Sequence, residues 1–289
     1  MAFSKILVPL SGQLDGTETL ELAIAAARLI RGHVEALYIQ PAPVEVLRPA
    51  DGSEPAGGAQ DETVRIEQEA AASLDAAYRV FRNWAVRRGV GLGTPSALHA
   101  WDVSASWREY IGAPAQVIAE FGRYSDLIVL QQPGSEVDDP RYVEIGALLL
   151  ATGCPVLLVP PKARSDFGRN VVVAWDGSRA GLNALTGVLP LIERFPRIVV
   201  LTVDTTGTDP MLEADLLRLL TYTSVRPERR VLQPSNLTTG ERLLHESRRD
   251  GADLLVLGVA AHPQSHGDTL GCTNRHVVQT AEMLVLLGQ

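Results

Sequence analysis

Residues 251–288 read GADLLVLGVAAHPQSHGDTLGCTNRHVVQTAEMLVLLG, and residues 124–160 read YSDLIVLQQPGSEVDDPRYVEIGALLLATGCPVLLVP. Asp253 falls opposite Asp126, and Leu287 opposite Val159 with a slip of a single residue. In each stretch an acidic residue opens a short apolar run, a polar loop follows, then a helical pattern, then a second apolar run. That order, met twice, marks an internal repeat. The copies differ in the loop. The later one carries Gly258 and Gly271 where the earlier one has Gln131 and Glu144, so one copy alone keeps a plausible cradle for an anion.

The repeat extends towards the N-terminus. Residues 5–12 (KILVPLSG) align with residues 170–177 (NVVVAWDG), which sets Ser11 opposite Asp176. Each is a short apolar run closed by small and polar residues, as for a buried parallel strand that enters a helix. The spacing predicts helices near 17–31 and 179–194, each followed by a strand, HVEALYIQ and RIVVLTVD. Strand, helix and strand in this rhythm give right-handed βαβ units and a parallel sheet. Third strands are expected near 104–110 and 229–233, helices near 114–121 and 240–249, fourth strands at DLIVLQ and DLLVLG, and fifth strands at CPVLLV and MLVLLG.

The first half is longer in its middle. Ser11 and Asp126 lie 115 positions apart, Asp176 and Asp253 only 77, an excess of 38 residues. Residues 41–60, rich in Pro, Gly and Ala, read as a loop. Residues 61–88 read as a long helix, with Ala70, Leu74, Ala77, Phe81 and Trp84 on one apolar stripe that suits core packing. The second half has only a short helix near 211–223 in this place. Residues 162–168 read as a linker between domains 1–161 and 170–289.

Composition bounds the function. The chain has 289 residues, 46% hydrophobic and 21% charged, with a net charge of −8. That describes globular domains with real cores. The acidic balance argues against nucleic acid and against an anionic membrane surface. No apolar run is long enough to span a bilayer or to act as a signal peptide, and two unpaired cysteines fit a reducing compartment, so a cytoplasmic location is expected.

VVVAWDGS, ADLLVLG, the glycines after it, and GCPVLLVP together resemble the universal stress proteins, here two such domains in tandem. The resemblance covers almost the whole chain. It implies an α/β fold of two five-stranded, doubly wound parallel sheets, of the adenine nucleotide alpha hydrolase-like type, related by a pseudo-two-fold axis. It also implies that the fifth strands meet as an intramolecular pseudo-dimer, with homodimers and protein partners of unknown identity beyond that. The ligand site is expected at the carboxyl ends of strands one and four, where a doubly wound sheet holds its ligand.

In nucleotide-binding members the motif is Gly, two residues, Gly, nine residues, Gly, then Ser or Thr. Here Gly258, Ala261, Gly271 and Cys272 take those places, with Thr273 next. Spacing is kept and chemistry is diluted, since a thiol donates a weaker hydrogen bond than a hydroxyl. The resemblance implies that Asp176 lies beside an adenosine, with the backbone of Ala174 and Val203 near the base, and that ATP or another adenine nucleotide, with Mg²⁺, binds the second half alone. The first half, with Ser11, Gln131 and Glu144, reads as a copy kept for shape. Gly271 also suits a plain turn, and Asp176 a helix N-cap. No nucleophile–base pair is visible, so no catalytic residue is assigned, and slow hydrolysis of bound nucleotide is the most that an enzyme reading allows. His262, His266, Asp268, Cys272 and His276 cluster without any metal-ligand spacing, and no metal site is assigned. The alternative to a nucleotide-binding stress-response protein is a nucleotide-independent scaffold that presents both domains as protein-binding surfaces.

Overall fold

In a computed structural model the described residues are 5–10, 16–40, 59–94, 103–134, 141–161, 163, 167–203, 210–222, 226–232, 235–260 and 270–289. The first half holds β1 (Lys5–Leu10), α1 (Thr17–Ile30), β2 (His33–Gln40), α2 (Ala59–Arg88), β3 (Gly91–Leu92), β4 (Ser104–Ile111), α3 (Pro114–Gly122), β5 (Leu127–Gln131), α4 (Arg141–Thr152) and β6 (Val156–Val159). The second holds β7 (Asn170–Trp175), α5 (Arg179–Ile192), β8 (Arg197–Val203), α6 (Pro210–Thr221), β9 (Glu228–Leu232), α7 (Thr239–Arg249), β10 (Leu254–Gly258), α8 (Gly271–Thr280) and β11 (Leu284–Gly288).

All eleven strands join one sheet in the order β3-β4-β2-β1-β5-β6-β11-β10-β7-β8-β9. Within each half the pairs are parallel; β6 and β11 meet antiparallel, Leu157 opposite Leu286. The two halves are thus related about the β6–β11 seam, and the expected contact between fifth strands forms inside one chain. Two apolar layers cover the sheet, and each contains residues of both halves.

The repeated acid that opens the fourth strand has a structural task. Asp126 Oδ2 accepts from the Lys5 amide at 2.8 Å, and Asp253 Oδ2 accepts from the Arg169 amide at 2.8 Å. Each carboxylate pins the start of its half's first strand to the neighbouring strand. Burial pushes the Asp253 carboxyl up, and the amides at the strand start pull it part of the way back.

The long helix begins at Ala59, two residues before the sequence places it, and the rest of the expected loop lies outside the described residues. Its stripe packs as expected. Phe81 and Trp84 are buried outright, Leu74 and Ala77 in part. Phe81 lies 5.2 Å from Trp107 of β4, which stacks on Tyr38 of β2 at 5.7 Å, so aromatic contacts fasten α2 to the sheet. On the opposite face of β2 and β4, His33 sits between two hydroxyls, Nδ1 at 2.8 Å from Ser104 Oγ and Nε2 at 2.8 Å from Ser106 Oγ. Lys5 pairs with Glu35 beside it at 3.1 Å. The two-residue strand β3 was not expected; it is too short to leave a period in the sequence.

Candidate functional site

The second half sets its candidate residues at the carboxyl ends of three adjacent strands. Ala174 and Asp176 close β7, Val203 ends β8 and Gly258 ends β10. This is the crevice side of a doubly wound sheet. Gly271, Cys272 and Thr273 open α8. Ala261, His262, His266 and Asp268 lie outside the described residues.

Asp176 is not the N-cap of α5. That role belongs to Ser178, whose Oγ accepts from the Gly181 amide at 3.0 Å. Asp176 Oδ1 instead accepts from the Ser178 amide at 2.9 Å. The carboxylate thus shapes the turn that lets the cap form, and it is held at the end of β7 rather than in the helix. A serine two residues further along is the better cap because its short hydroxyl reaches N3 from extended backbone.

Gly258 and Gly271 do different things. A Cβ on Gly258 would lie 2.3 Å from the Gly181 nitrogen and 2.6 Å from the Ala180 carbonyl carbon. The glycine therefore lets the start of α5 press onto β10 backbone to backbone. Gly288, the last residue of β11, meets Ala184 of the same helix in the same way, at 2.5 Å. Gly271 has φ +74°, and a Cβ there would meet none of the described residues within 4 Å. Its glycine is needed for conformation rather than for room against any described neighbour. Leu270, the residue before α8, is apolar and cannot cap the helix by side chain.

Two residues that the sequence does not single out hold this arrangement. Asn274 Nδ2 donates to the Gly258 carbonyl at 3.1 Å and to the Leu270 carbonyl at 3.0 Å, which ties the first turn of α8 to the end of β10. Gln132, from the first half, donates through Nε2 to the carbonyls of Val278 at 2.5 Å and Ala281 at 3.3 Å, at the other end of α8. The one signal for Gln132 is a polar pair, Gln131-Gln132, directly after a buried strand.

The cysteines part as their positions suggest. Burial pushes the Cys154 thiol up to about 12, with Asp126 adding to it, and its Sγ lies 3.2 Å from the Ser125 carbonyl. It is an inert core residue. Cys272 is free and exposed. His276, on α8, packs against the start of α7, where a Cβ on Gly240 would lie 2.9 Å from its ring. In the first half, Gln131 ends β5 and Glu144 is exposed in the first turn of α4; Ser11 lies outside the described residues.

No protein-family model and no curated protein sequence matches the chain. Solved structures do. A universal stress protein from Archaeoglobus fulgidus DSM 4304 superposes with a TM-score of 0.69 at 12% identity, over 100% of this chain and 99% of that one. A candidate universal stress protein from Pseudomonas aeruginosa UCBPP-PA14 superposes with a TM-score of 0.54 at 17% identity, over 99% and 93%. Among the described residues no helix is long and apolar enough to cross a membrane. The chain has the fold of the universal stress proteins, two such units fused in tandem and sharing one sheet.

Proposed function

We propose that the second half binds one adenine nucleotide, ATP or a close relative with Mg²⁺, as part of a stress-response role, and that the first half binds none. The observation that supports this most is Gly271. It opens a ten-residue helix in a left-handed turn, and among the described residues nothing lies where a side chain would stand. Helix amides and the helix dipole favour an anion at such a place, and the glycine lets phosphate oxygens come close. Asp176, anchored at the end of β7 on the crevice side, is assigned to the sugar or base of the same ligand. The fit is partial at Gly258, whose missing side chain faces α5 rather than the crevice. Gly258 serves the ligand indirectly, by drawing the turn of Asp176 and Ser178 up to β10. Cys272 in place of a hydroxyl weakens the phosphate end several-fold to about tenfold, the worth of one ordinary hydrogen bond.

Titration calorimetry with ATP, with and without Mg²⁺, tests the reading. One site per chain is expected. Gly271→Asp should abolish binding by placing a carboxylate against the phosphates, and Cys272→Ser should tighten it several-fold. Two equivalent sites would contradict the asymmetry. No binding in any of these proteins would favour the nucleotide-independent scaffold.

A further inference from the structure

The half that has lost its phosphate motif carries a cavity at the carboxyl ends of its strands. Between the carboxyl ends of β1 and β5 lies a space of about 190 Å³. Leu10, Ile39, Ile118, Leu130, Ile145 and Leu148 wall it. Gln131, Arg141 and Glu144 bring the polar groups; the Thr19 hydroxyl, also at the wall, is committed to the Gly16 carbonyl at 2.8 Å.

The two halves differ in sequence at this place. In the second half, Gly258 and Gly181 let α5 close onto β10. Opposite Gly258 the first half has Gln131, whose side chain forbids the same approach. Opposite Gly181 it has Gly16, left-handed at φ 61°, with α1 beginning only at Thr17. Its helix starts at Thr17, three residues later than α5 does in the aligned frame. Most of the wall, Ile39, Ile118, Leu130, Ile145 and Leu148, belongs to the layer under α3 and α4, and Gly16, Thr19 and Gln131 close the end nearest α1.

The walls also decide what fits. A volume of this order is below the roughly 300–1,000 Å³ of pockets that enclose drug-sized ligands, and close to the roughly 150 Å³ of an apolar cavity that takes up benzene. Glu144 stands in the first turn of α4, where it opposes a phosphate and offsets the positive end of the helix dipole. The six apolar side chains that wall the space favour an uncharged ligand, since burying a charge against them would cost its hydration.

We propose that this cavity is a binding site for an uncharged, ring-sized apolar molecule that makes one hydrogen bond to the Gln131 side chain. The site is independent of nucleotide binding in the second half.

Indole serves as the probe, added to the intact ¹⁵N-labelled protein. Saturable amide shifts are expected at Leu10, Ile39 and Leu130, unchanged when millimolar ATP is present. Ala115 lines the cavity from the exposed side of α3, so Ala115→Trp should block the space without disturbing the core, and the shifts should vanish. Gln131→Ala should weaken binding several-fold to about tenfold. Benzoate and benzylammonium should each bind less well than indole. The proposal is overturned if the wild-type protein shows no saturable shift up to the solubility of indole. It is equally overturned if the shifts survive Ala115→Trp, if ATP displaces indole, or if either charged probe binds as well as the neutral one.

Discussion

At the scale of single residues, two glycines at one crevice answer to different forces, and substitution separates them. Alanine at Gly258 puts a methyl against the backbone of Ala180 and Gly181, where nothing can rotate away. The helix must shift, and overpacking of this kind costs about 1–3 kcal/mol. Alanine at Gly271 meets none of the described residues and costs only the left-handed backbone, about 1–2 kcal/mol. Urea denaturation should show both variants destabilised, and tryptophan fluorescence should change only for Gly258→Ala, since Trp175 adjoins Gly181 at the start of α5. His33 gives a second test. Burial holds its imidazole below the usual 6.5, Lys5 adds to this, and Glu35 opposes it. The folded chain therefore prefers the neutral ring, and the unfolded chain binds the proton more tightly. Stability from this group is complete above pH 6.5 and is lost as pH falls through 6.5 towards the lower native value. The wild-type melting temperature should drop across that window. His33→Gln should flatten the drop while keeping hydrogen bonds to Ser104 and Ser106; an unchanged slope would remove His33 from the account.

At the scale of elements, α8 is held at both ends by side-chain amides, its own Asn274 at the start and Gln132 of the first half at the finish. Its last carbonyls, which no helix can satisfy by itself, accept from Gln132 of the first half. Gln132→Ala should therefore destabilise the second half by about 1–3 kcal/mol, although the residue belongs to the first, and amide exchange should quicken along residues 271–280. The contrast with what could be read beforehand is instructive. Strands and helices were legible because buried strands write continuous apolar runs and α2 writes a four-and-three stripe. The seam was legible because two apolar fifth strands need a partner. Gln132 and Asn274 were not, since a polar residue bonded across the fold looks in sequence like any solvated one. The packing role of Gly258 was not legible for a related reason: a glycine that admits a ligand and a glycine that admits a helix are the same letter. The cavity of the first half was not legible either, since its walls come from strands and helices far apart in sequence, each of which reads as ordinary core.

At the scale of the whole molecule, the repeat solves an edge problem. β6 is four residues long, all buried, and it pairs with β5 on one side and β11 on the other. Without the second half it would present a row of unpaired backbone groups and an apolar surface. Both layers of core run across the seam, so the halves share their burial as well as their hydrogen bonds. Unfolding one half would expose the other, and calorimetry should record a single cooperative transition for the chain rather than two. A ligand at either crevice then raises that one transition, by about 2.7 kcal/mol at a hundredfold excess over Kd. The same argument predicts the behaviour of residues 1–161 made alone. Their exposed β6 can pair antiparallel with β6 of a second copy, which reproduces the seam with two-fold symmetry. Light scattering should find a dimer that Leu157→Lys turns into a monomer, because the charge would face the core in place of the buried Leu157. A fragment that stays monomeric with Leu157 intact would mean that the seam draws its stability from residues peculiar to β11, not from the edge that the repeat leaves open.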